Sequence, residues 1–342
     1  MIFRPLAFVG GLLLSASAAC AQSSPTPPSF DDYLGELRET ALSSGIRPET
    51  VDAIFPGLSF DSRVVELDRQ QPDDSRAAPP SLAGYLEARL TPERISEGRI
   101  RYRDAQVQLA RAEAATGVPA PILAGIWGME TFYGRATGSK DLFQSLASLA
   151  YDGRRRDLFA REFLAALRIV DKGLAPRERL VGSWAGATGM PQFLPSSYLA
   201  SARDGDGDGW IDIWYSKSDT FASIGTYLKQ AGWKPGLPWG LEAAVPAGLD
   251  RAALATDEVF DGCVTVQQRH SRWLSLADWE RLGVRPLTAA GLEPTAQATL
   301  IEPDGPGGRA FLAFNNYRAL LNYNCSNYYV ISVGLLADAI KI

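Results

Sequence analysis

The chain has 342 residues, 34 Lys plus Arg against 39 Asp plus Glu, and one histidine, His270. A mildly acidic composition without a basic block argues against a nucleic-acid partner. One histidine excludes a multi-histidine zinc site and leaves a Ser-His-Asp triad only if His270 is its base. His270 stands in the polar stretch 267–273 and reads as structural.

Residues 1–21 read as a secretory signal: Arg4 supplies the positive start, Leu6 to Leu14 the short apolar run, and Ala19-Cys20-Ala21 a small-x-small cleavage site. No later stretch approaches the ~20 apolar residues a bilayer requires, so an exported, soluble chain without a transmembrane segment is expected. Cys20 leaves lipidation as the alternative, although Ser17-Ala18-Ala19 lack the leucine usual three places upstream. The other cysteines, Cys263 and Cys325, predict a disulfide in an oxidising compartment, with two buried thiols as the alternative.

Residues 22–29 form a Ser/Pro linker, and 30–118 read as an N-terminal helical lobe. In that lobe Tyr33, Leu34, Leu37, Leu42 and Ile46 keep helical spacing, and Pro48 starts a second helix. After a polar, Pro-rich break at 70–80, one long helix is expected from Thr91, with Thr91 as cap and Pro92 in the first turn, to Gly117. The segment 119–240 reads as a core with helices at 120–134, 142–151, 154–173 and 220–231. Residues 241–315 hold short β-rich runs, including Val245, Val259, Val264 to Val266, 298–301 and 310–314, separated by breaks such as Asp304-Gly-Pro-Gly-Gly308. A C-terminal segment, 316–342, returns to an apolar helix from Tyr328 to Ile340. The fold class expected is mainly α with a small β subdomain.

Within Ala120 to Gly134, Glu130 is the only charged residue. On a continuous helix it shares a face with Leu123, Ile126, Trp127, Tyr133 and Gly134. A carboxylate in such company is either paired or pushed toward its neutral form, and a neutral carboxylic acid can protonate a glycosidic oxygen.

Asp204-Gly-Asp-Gly-Asp-Gly-Trp-Ile-Asp212 carries an EF-hand-like cation signal. Asp204, Asp206 and Asp208 take positions 1, 3 and 5, Gly209 position 6, and the Trp210 carbonyl position 7. Position 12 is Tyr215 instead of a bidentate Glu, and the next carboxylate after Asp212 is Asp219, so the loop must extend over 204–219. Calcium, or sodium, in a structural role is the expected occupant. Upstream, residues 182–198 are a Gly- and Pro-rich loop in which Ser183 and Gln192 are polar.

Together Gly128-Met-Glu-Thr-Phe-Tyr-Gly134, Ser183-Trp-Ala-Gly-Ala-Thr-Gly-Met-Pro-Gln192, the Asp-rich loop ending in Trp214, and Leu321-Asn-Tyr-Asn324 resemble the membrane-bound lytic murein transglycosylase B family. The resemblance implies a lysozyme-like catalytic core, a periplasmic location, peptidoglycan glycan strands as partner and no cofactor for catalysis; association with cell-wall synthases stays open. It also implies that Glu130 is the catalytic acid and base, with Ser183, Gln192, Tyr227, Tyr323, Asn324 and Tyr329 around the cleft. Tyr85, Arg154 and Arg155 match sugar- and peptide-contacting positions. Met190-Pro191 replaces the family's usual Tyr-Gly or similar pair.

The nearest acidic residues in sequence, Glu113 and Asp141, are not one or two turns from Glu130 on its face. A one-carboxylate route fits: Glu130 protonates the bridging oxygen, the substrate's N-acetyl group stabilises the cationic carbon, and the 6-hydroxyl closes a 1,6-anhydro ring, with Gln192 and Ser183 as donors to the acetamido group. Two other readings stand beside it. One is a lysozyme-like hydrolase using Asp141 or another distant carboxylate; the other is a calcium-dependent wall-binding protein without catalysis.

Overall fold

The computed structural model describes residues 29–71, 81–288 and 291–341. The expected signal with Cys20, the linker up to residue 28 and most of the 70–80 break lie outside the described residues. The described chain is mainly helical with a small antiparallel sheet, as expected.

Helices α1 (Phe30–Ser43), α2 (Pro48–Ile54) and α3 (Ser62–Arg69) come first. Then follow α4 (Leu82–Arg89), α5 (Pro92–Asp104), α6 (Gln106–Thr116) and α7 (Ala120–Thr131). Thr91 caps α5 by accepting from the Arg94 N–H, with Pro92 in the first turn, where a missing N–H costs nothing. Gly117 ends α6 at φ 74°, in the left-handed region open to glycine. The single helix expected over this span is broken at Ala105: both halves pack on α7, but α5 also packs on the C-terminal helix while α6 turns to lie along α11 (Lys217–Gln230).

The middle of the chain gives β1 (Lys140–Asp141), α8 (Leu142–Asp152), α9 (Arg156–Asp171), β2 (Val181–Gly182), α10 (Pro195–Ser201) and α11 (Lys217–Gln230). The remainder is β3 (Gly240–Ala244), α12 (Val264–Gln267), β4 (Leu274–Ser275), α13 (Leu276–Arg281), β5 (Arg285–Pro286), β6 (Gln297–Ile301), β7 (Ala310–Ala313), α14 (Asn315–Tyr323) and α15 (Asn327–Ile340). Strands β4-β6-β7-β3-β5 form one antiparallel sheet, and β1 pairs with β2.

Three β expectations are corrected. Val264 to Val266 form the short helix α12, because Cys263 sits in the left-handed region at φ 53° and is bonded to Cys325, so a tertiary link overrides β propensity. Val259 is almost fully exposed and lies outside any strand, and β3 ends at Ala244, before Val245 and Pro246. Cys263 and Cys325 are disulfide-bonded, with Cα atoms 5.5 Å apart.

Three apolar cores organise the described residues. Helices α1 to α3 pack with α8, α9 and α10, so Tyr33, Leu37 and Val51 share a core with Phe143, Phe163 and Phe193. Residues of α4 to α7 pack with α11, α14 and α15. Residues 30–118 therefore divide between two cores instead of closing on themselves as one lobe. A third core, around Trp279, Leu300 and Leu312, lies within the sheet region. The first two cores meet where Tyr227 and Tyr323 pack against both.

Candidate active site

Glu130 sits in the last turn of α7, where the chain reverses in an unusual way. Phe132 and Tyr133 are both non-glycine residues at positive φ, 50° and 60°, followed by Gly134 at φ 85°. Consecutive left-handed residues cost of order 1–3 kcal/mol each and persist only where the surroundings over-determine them. Here they do. The Tyr133 ring folds back onto Gly128, where an added Cβ would lie 2.6 Å from the ring, and its hydroxyl donates to the Arg94 carbonyl at 3.1 Å. Buried Thr131 donates to the Met190 carbonyl and accepts from the Gly134 N–H, tying the turn to the 183–192 loop. The helix thus stops before Tyr133 and Gly134, so the continuous face expected for them with Glu130 does not form.

What surrounds Glu130 instead comes from distant parts of the chain. The Tyr329 hydroxyl, on the first turn of α15, donates to Glu130 Oε1 at 2.5 Å. Tyr323, at the end of α14, and Tyr85, on α4, lie within electrostatic reach of the same carboxyl. Burial pushes the Glu130 carboxyl up to about 7, against the Tyr329 hydrogen bond and the positive charge of Arg89, which pull it down. The carboxyl lies deep among packed groups, yet the residue keeps a part-exposed edge. Depth sets its acidity; the opening lets a substrate reach it.

The aromatic wall beside it is continuous. Tyr227 and Tyr323 rings meet at 5.0 Å between centroids, and Phe193 lies 5.6 Å from Tyr227. Tyr227 donates to the Asn322 carbonyl at 2.7 Å, and Tyr323 to the Pro191 carbonyl at 2.5 Å. Met190-Pro191 therefore has a local role: Met190 is buried against Gly134, and Pro191 receives Tyr323. Asn324 is exposed, with no side-chain hydrogen bond within the described residues.

Ser183 accepts from the Ala187 N–H at 3.1 Å, leaving its own proton free to donate. Gln192, at φ 51°, spends its amide N–H groups on the carbonyls of Thr137 and Gly189, at 3.0 and 2.9 Å. This corrects its expected role as a donor: the free group of Gln192 is its carbonyl oxygen, an acceptor. Arg154 and Arg155 are both committed to buried Asp68, with an Arg154–Asp68 contact of 3.0 Å. The structure uses them to fasten the end of α3 to the α8–α9 connection instead of joining them to the group around Glu130. Glu113 caps the start of α7 through the Ala120 N–H, and Asp141 caps α8 and pairs with Arg177. Neither supplies Glu130 with a carboxylate partner. Arg89 was not anticipated; its spacing, four residues after Tyr85 on α4, was the available signal.

Compared with known proteins, residues 29–338 match the family described as Transglycosylase SLT domain. The chain belongs to this family. It is a peptidoglycan lytic transglycosylase, mainly helical with a lysozyme-like fold. It is 29% identical over 308 residues to membrane-bound lytic murein transglycosylase B of Escherichia coli, covering 86% of this chain and 78% of that protein. SltB3 from Pseudomonas aeruginosa in complex with NAG-NAM-pentapeptide superposes with a TM-score of 0.81 at 40% identity, covering 91% of this chain and 79% of that one. The E. coli lytic transglycosylase Slt35 in complex with calcium superposes at 0.73 and 26% identity, covering 90% and 92%.

The transglycosylase's acidic loop is tied to the loop bearing Ser183 and Gln192. Ligand oxygens of Asp204, Asp206 and Asp219 lie within 4.8 Å of one another. Asp219 is buried and accepts from the Gly205 and Asp212 N–H groups at 2.8 and 2.6 Å. Burial, with repulsion from Asp206, holds its carboxyl above the usual range in spite of those donors. An all-oxygen group in which carboxylates repel one another fits a hard cation. Asp208 stands apart, its carboxylate accepting from the Trp210 N–H at 2.8 Å, so Asp219 and not Asp208 completes the trio. The loop's exit carries Ile213, whose carbonyl accepts from the Met190 N–H, and Trp214, whose indole donates to Thr188 at 2.8 Å. The acidic loop therefore supports the loop bearing Ser183 and Gln192. His270 is buried, hydrogen-bonded to Asn327 at 2.9 Å and held by burial down to about 4, in keeping with a structural residue.

Among the described residues no helix is long and apolar enough to cross a membrane.

Proposed function

We propose that this transglycosylase cleaves the MurNAc–GlcNAc β-1,4 bond of peptidoglycan without water, with Glu130 as acid and then base. The observation that carries the reading is the Glu130 carboxyl itself: solitary, buried, pushed up to about 7, and aligned by the Tyr329 hydroxyl. Protonated Glu130 gives its proton to the bridging oxygen as the glycosidic bond breaks. The substrate's own acetamido oxygen stabilises the cationic carbon, which replaces the second carboxylate of ordinary glycosidases. Glu130, now a carboxylate, takes the proton of the 6-hydroxyl, whose oxygen closes on the cationic carbon. The proton given to the departing sugar's oxygen is replaced by the one from the 6-hydroxyl, and Glu130 is restored to its acid form.

Ser183 supplies a donor for the acetamido oxygen, and the free Gln192 carbonyl an acceptor for the acetamido N–H. Together they fix the orientation in which the acetamido oxygen faces the reacting carbon. Tyr227, Tyr323, Asn324, Tyr329 and Tyr85 line the groove, and the reading no longer needs Arg154 and Arg155. Asp204, Asp206 and Asp219 hold a structural calcium ion, with the Trp210 carbonyl as a further ligand; the ion stabilises the loop beneath Ser183 and Gln192 and takes no part in proton transfer. The N-terminal signal directs the chain to the periplasm, where its substrate lies. SltB3 bound to NAG-anhNAM-pentapeptide supports the choice of an anhydro product.

Mass spectrometry of muropeptides released from purified peptidoglycan, wild type beside Glu130→Gln, tests the reading. Anhydromuramyl ends from the wild type and none from the variant are expected; free reducing ends would overturn it in favour of hydrolysis.

A further inference from the structure

The loop between β6 and β7 contains Asp304, in the Asp-Gly-Pro-Gly-Gly segment that the cleft described above does not use. Gly305 and Gly307 take φ values of 83° and 86°, a path open to glycine, and the turn projects the Asp304 carboxylate out of the sheet region. That carboxylate reaches two elements of the catalytic half at once. Both its oxygens accept from the Leu82 N–H, at 2.9 and 3.0 Å, at the N-terminus of α4. Oδ1 also accepts from the Tyr328 hydroxyl at 2.6 Å. Ser81 caps the same helix through the Gly84 N–H at 3.2 Å, so the Leu82 N–H, left over by that cap, is the donor Asp304 takes. A carboxylate there also complements the helix dipole.

What α4 and Tyr328 carry makes this more than a fastening. The Tyr85 and Tyr328 rings meet at 5.5 Å, and the Arg89 guanidinium lies over Tyr85 at 5.5 Å. Tyr328 directly precedes Tyr329, which holds the Glu130 carboxyl. Arg89 is exposed and, though its charge is felt at Glu130, it forms no ion pair among the described residues. It is therefore free to meet an anionic group on a bound substrate, and the paired rings offer an apolar ledge for a sugar face. All of this rests on a helix of eight residues, Leu82–Arg89, whose apolar anchor is the buried Leu82 beside the capped N–H.

We propose that Asp304 is a positioning residue of the sheet region that sets α4 against the groove, so that Tyr85, Tyr328 and Arg89 together grip a peptide-bearing glycan beside Glu130. The inference rests on the reading of Glu130 as the reacting group, but it concerns substrate grip and not proton transfer. Without the Asp304 carboxylate, α4 loses its cap from the sheet and Tyr328 loses its acceptor, and the ledge and the cation no longer share one fixed geometry. The chemistry at Glu130, held by Tyr329, is left in place.

The test uses the mature protein with soluble peptide-bearing glycan fragments, and it separates KM from kcat. Asp304→Ala is expected to raise KM on the order of tenfold, in line with loss of a helix cap and a charged hydrogen bond, with kcat within about twofold of wild type. Asp304→Asn keeps an acceptor for the Leu82 N–H and should restore most of the KM. Dissociation constants measured in the Glu130→Gln background, with and without Asp304→Ala, read grip without turnover and should differ by the same factor. Equal KM and equal dissociation constants for wild type and Asp304→Ala would overturn the proposal. So would a loss confined to kcat, or one that follows only a lowered folded fraction and is not recovered in Asp304→Asn. Cleavage retained in Glu130→Gln alone would instead refute the assignment of Glu130 and leave the dissociation constants to judge Asp304.

Discussion

The Glu130 corner and the acidic loop each bury a carboxyl and so hold it above its ordinary pKa, and they do opposite things with it. Asp219 is surrounded by donors and by other carboxylates: two backbone N–H groups hold it, and Asp204 and Asp206 crowd it. Among the described residues Glu130 has one phenol, the charge of one guanidinium and no carboxylate partner. A group with many fixed partners is built to stay charged, given a cation to balance it. A group with few is built to exchange a proton. The contrast separates a structural acid from a reacting one where burial alone does not.

The largest effect expected from breaking this contrast is at Glu130. Glu130→Gln keeps shape and hydrogen bonding but cannot give or take a proton, so turnover should fall by about 10²–10⁴-fold. Release of anhydro-muropeptides at near wild-type rate would mean that another residue is the acid. Next in size is the disulfide, which ties the α12 region to the corner between α14 and α15 that carries Tyr323 and Tyr329. It closes a sequence separation of 62 residues, and replacing both cysteines by serine should cost up to about 4 kcal/mol in the chain-entropy model. A denaturant midpoint equal to wild type would refute that.

The acidic loop supplies the third test. Chelation should lower the melting temperature and millimolar calcium should raise it, because an ion bound only by the folded state stabilises it by mass action. Asp219→Ala should abolish the response to calcium and cost a further amount of about 1–3 kcal/mol, since the Gly205 and Asp212 N–H groups lose their acceptor. Asp208→Ala should leave most of the calcium response, because Asp208 stands outside the trio. If Asp208→Ala proves the more damaging of the two, the loop closes on its ion in the EF-hand order that the sequence spacing suggested.

Much of this was legible because local chemistry and tertiary packing agree. Thr91-Pro92 starts a helix and Gly117 ends one for reasons that act within a few residues. Glu130 stood out because nothing else in its segment is charged. The break at Ala105 left no such mark: a buried alanine between two helices with different partners has no turn chemistry of its own. Val264 to Val266 misled because the bond at Cys263, not β propensity, decides their backbone. At the site, the residue type of Gln192 was readable but the use of its N–H groups was not, since Thr137 and Gly189 lie outside any periodic pattern with it. Tyr329 is 199 residues from Glu130, and spacing alone could not have joined them. Arg154 and Arg155 carried a plausible charge for substrate, and buried Asp68 claimed it.

The finest test of the contrast lies in the one side-chain hydrogen bond that Glu130 makes among the described residues. The Tyr329 hydroxyl donates to the charged form and so pulls the carboxyl down from where burial alone would place it. Tyr329→Phe removes that pull, and the Glu130 carboxyl should rise above about 7. The first step needs Glu130 protonated, so activity in the wild type should fall as pH rises through about 7, and in Tyr329→Phe that limb should move to higher pH. Turnover at the optimum should drop by roughly tenfold, since an oriented hydrogen bond is lost while the acid remains. Stability follows the same linkage. The folded state keeps the Glu130 proton between its ordinary value of 4.5 and about 7, where the unfolded chain has lost it, so this residue's contribution to stability is full below that window and declines as pH rises through it. Glu130→Gln should therefore show a flatter dependence of melting temperature on pH across the window, gaining on wild type at its upper end. A Tyr329→Phe profile with its upper limb unmoved or shifted to lower pH would show that the phenol does not hold the charged carboxylate, and Glu130 would then owe its acidity to burial and the charge of Arg89.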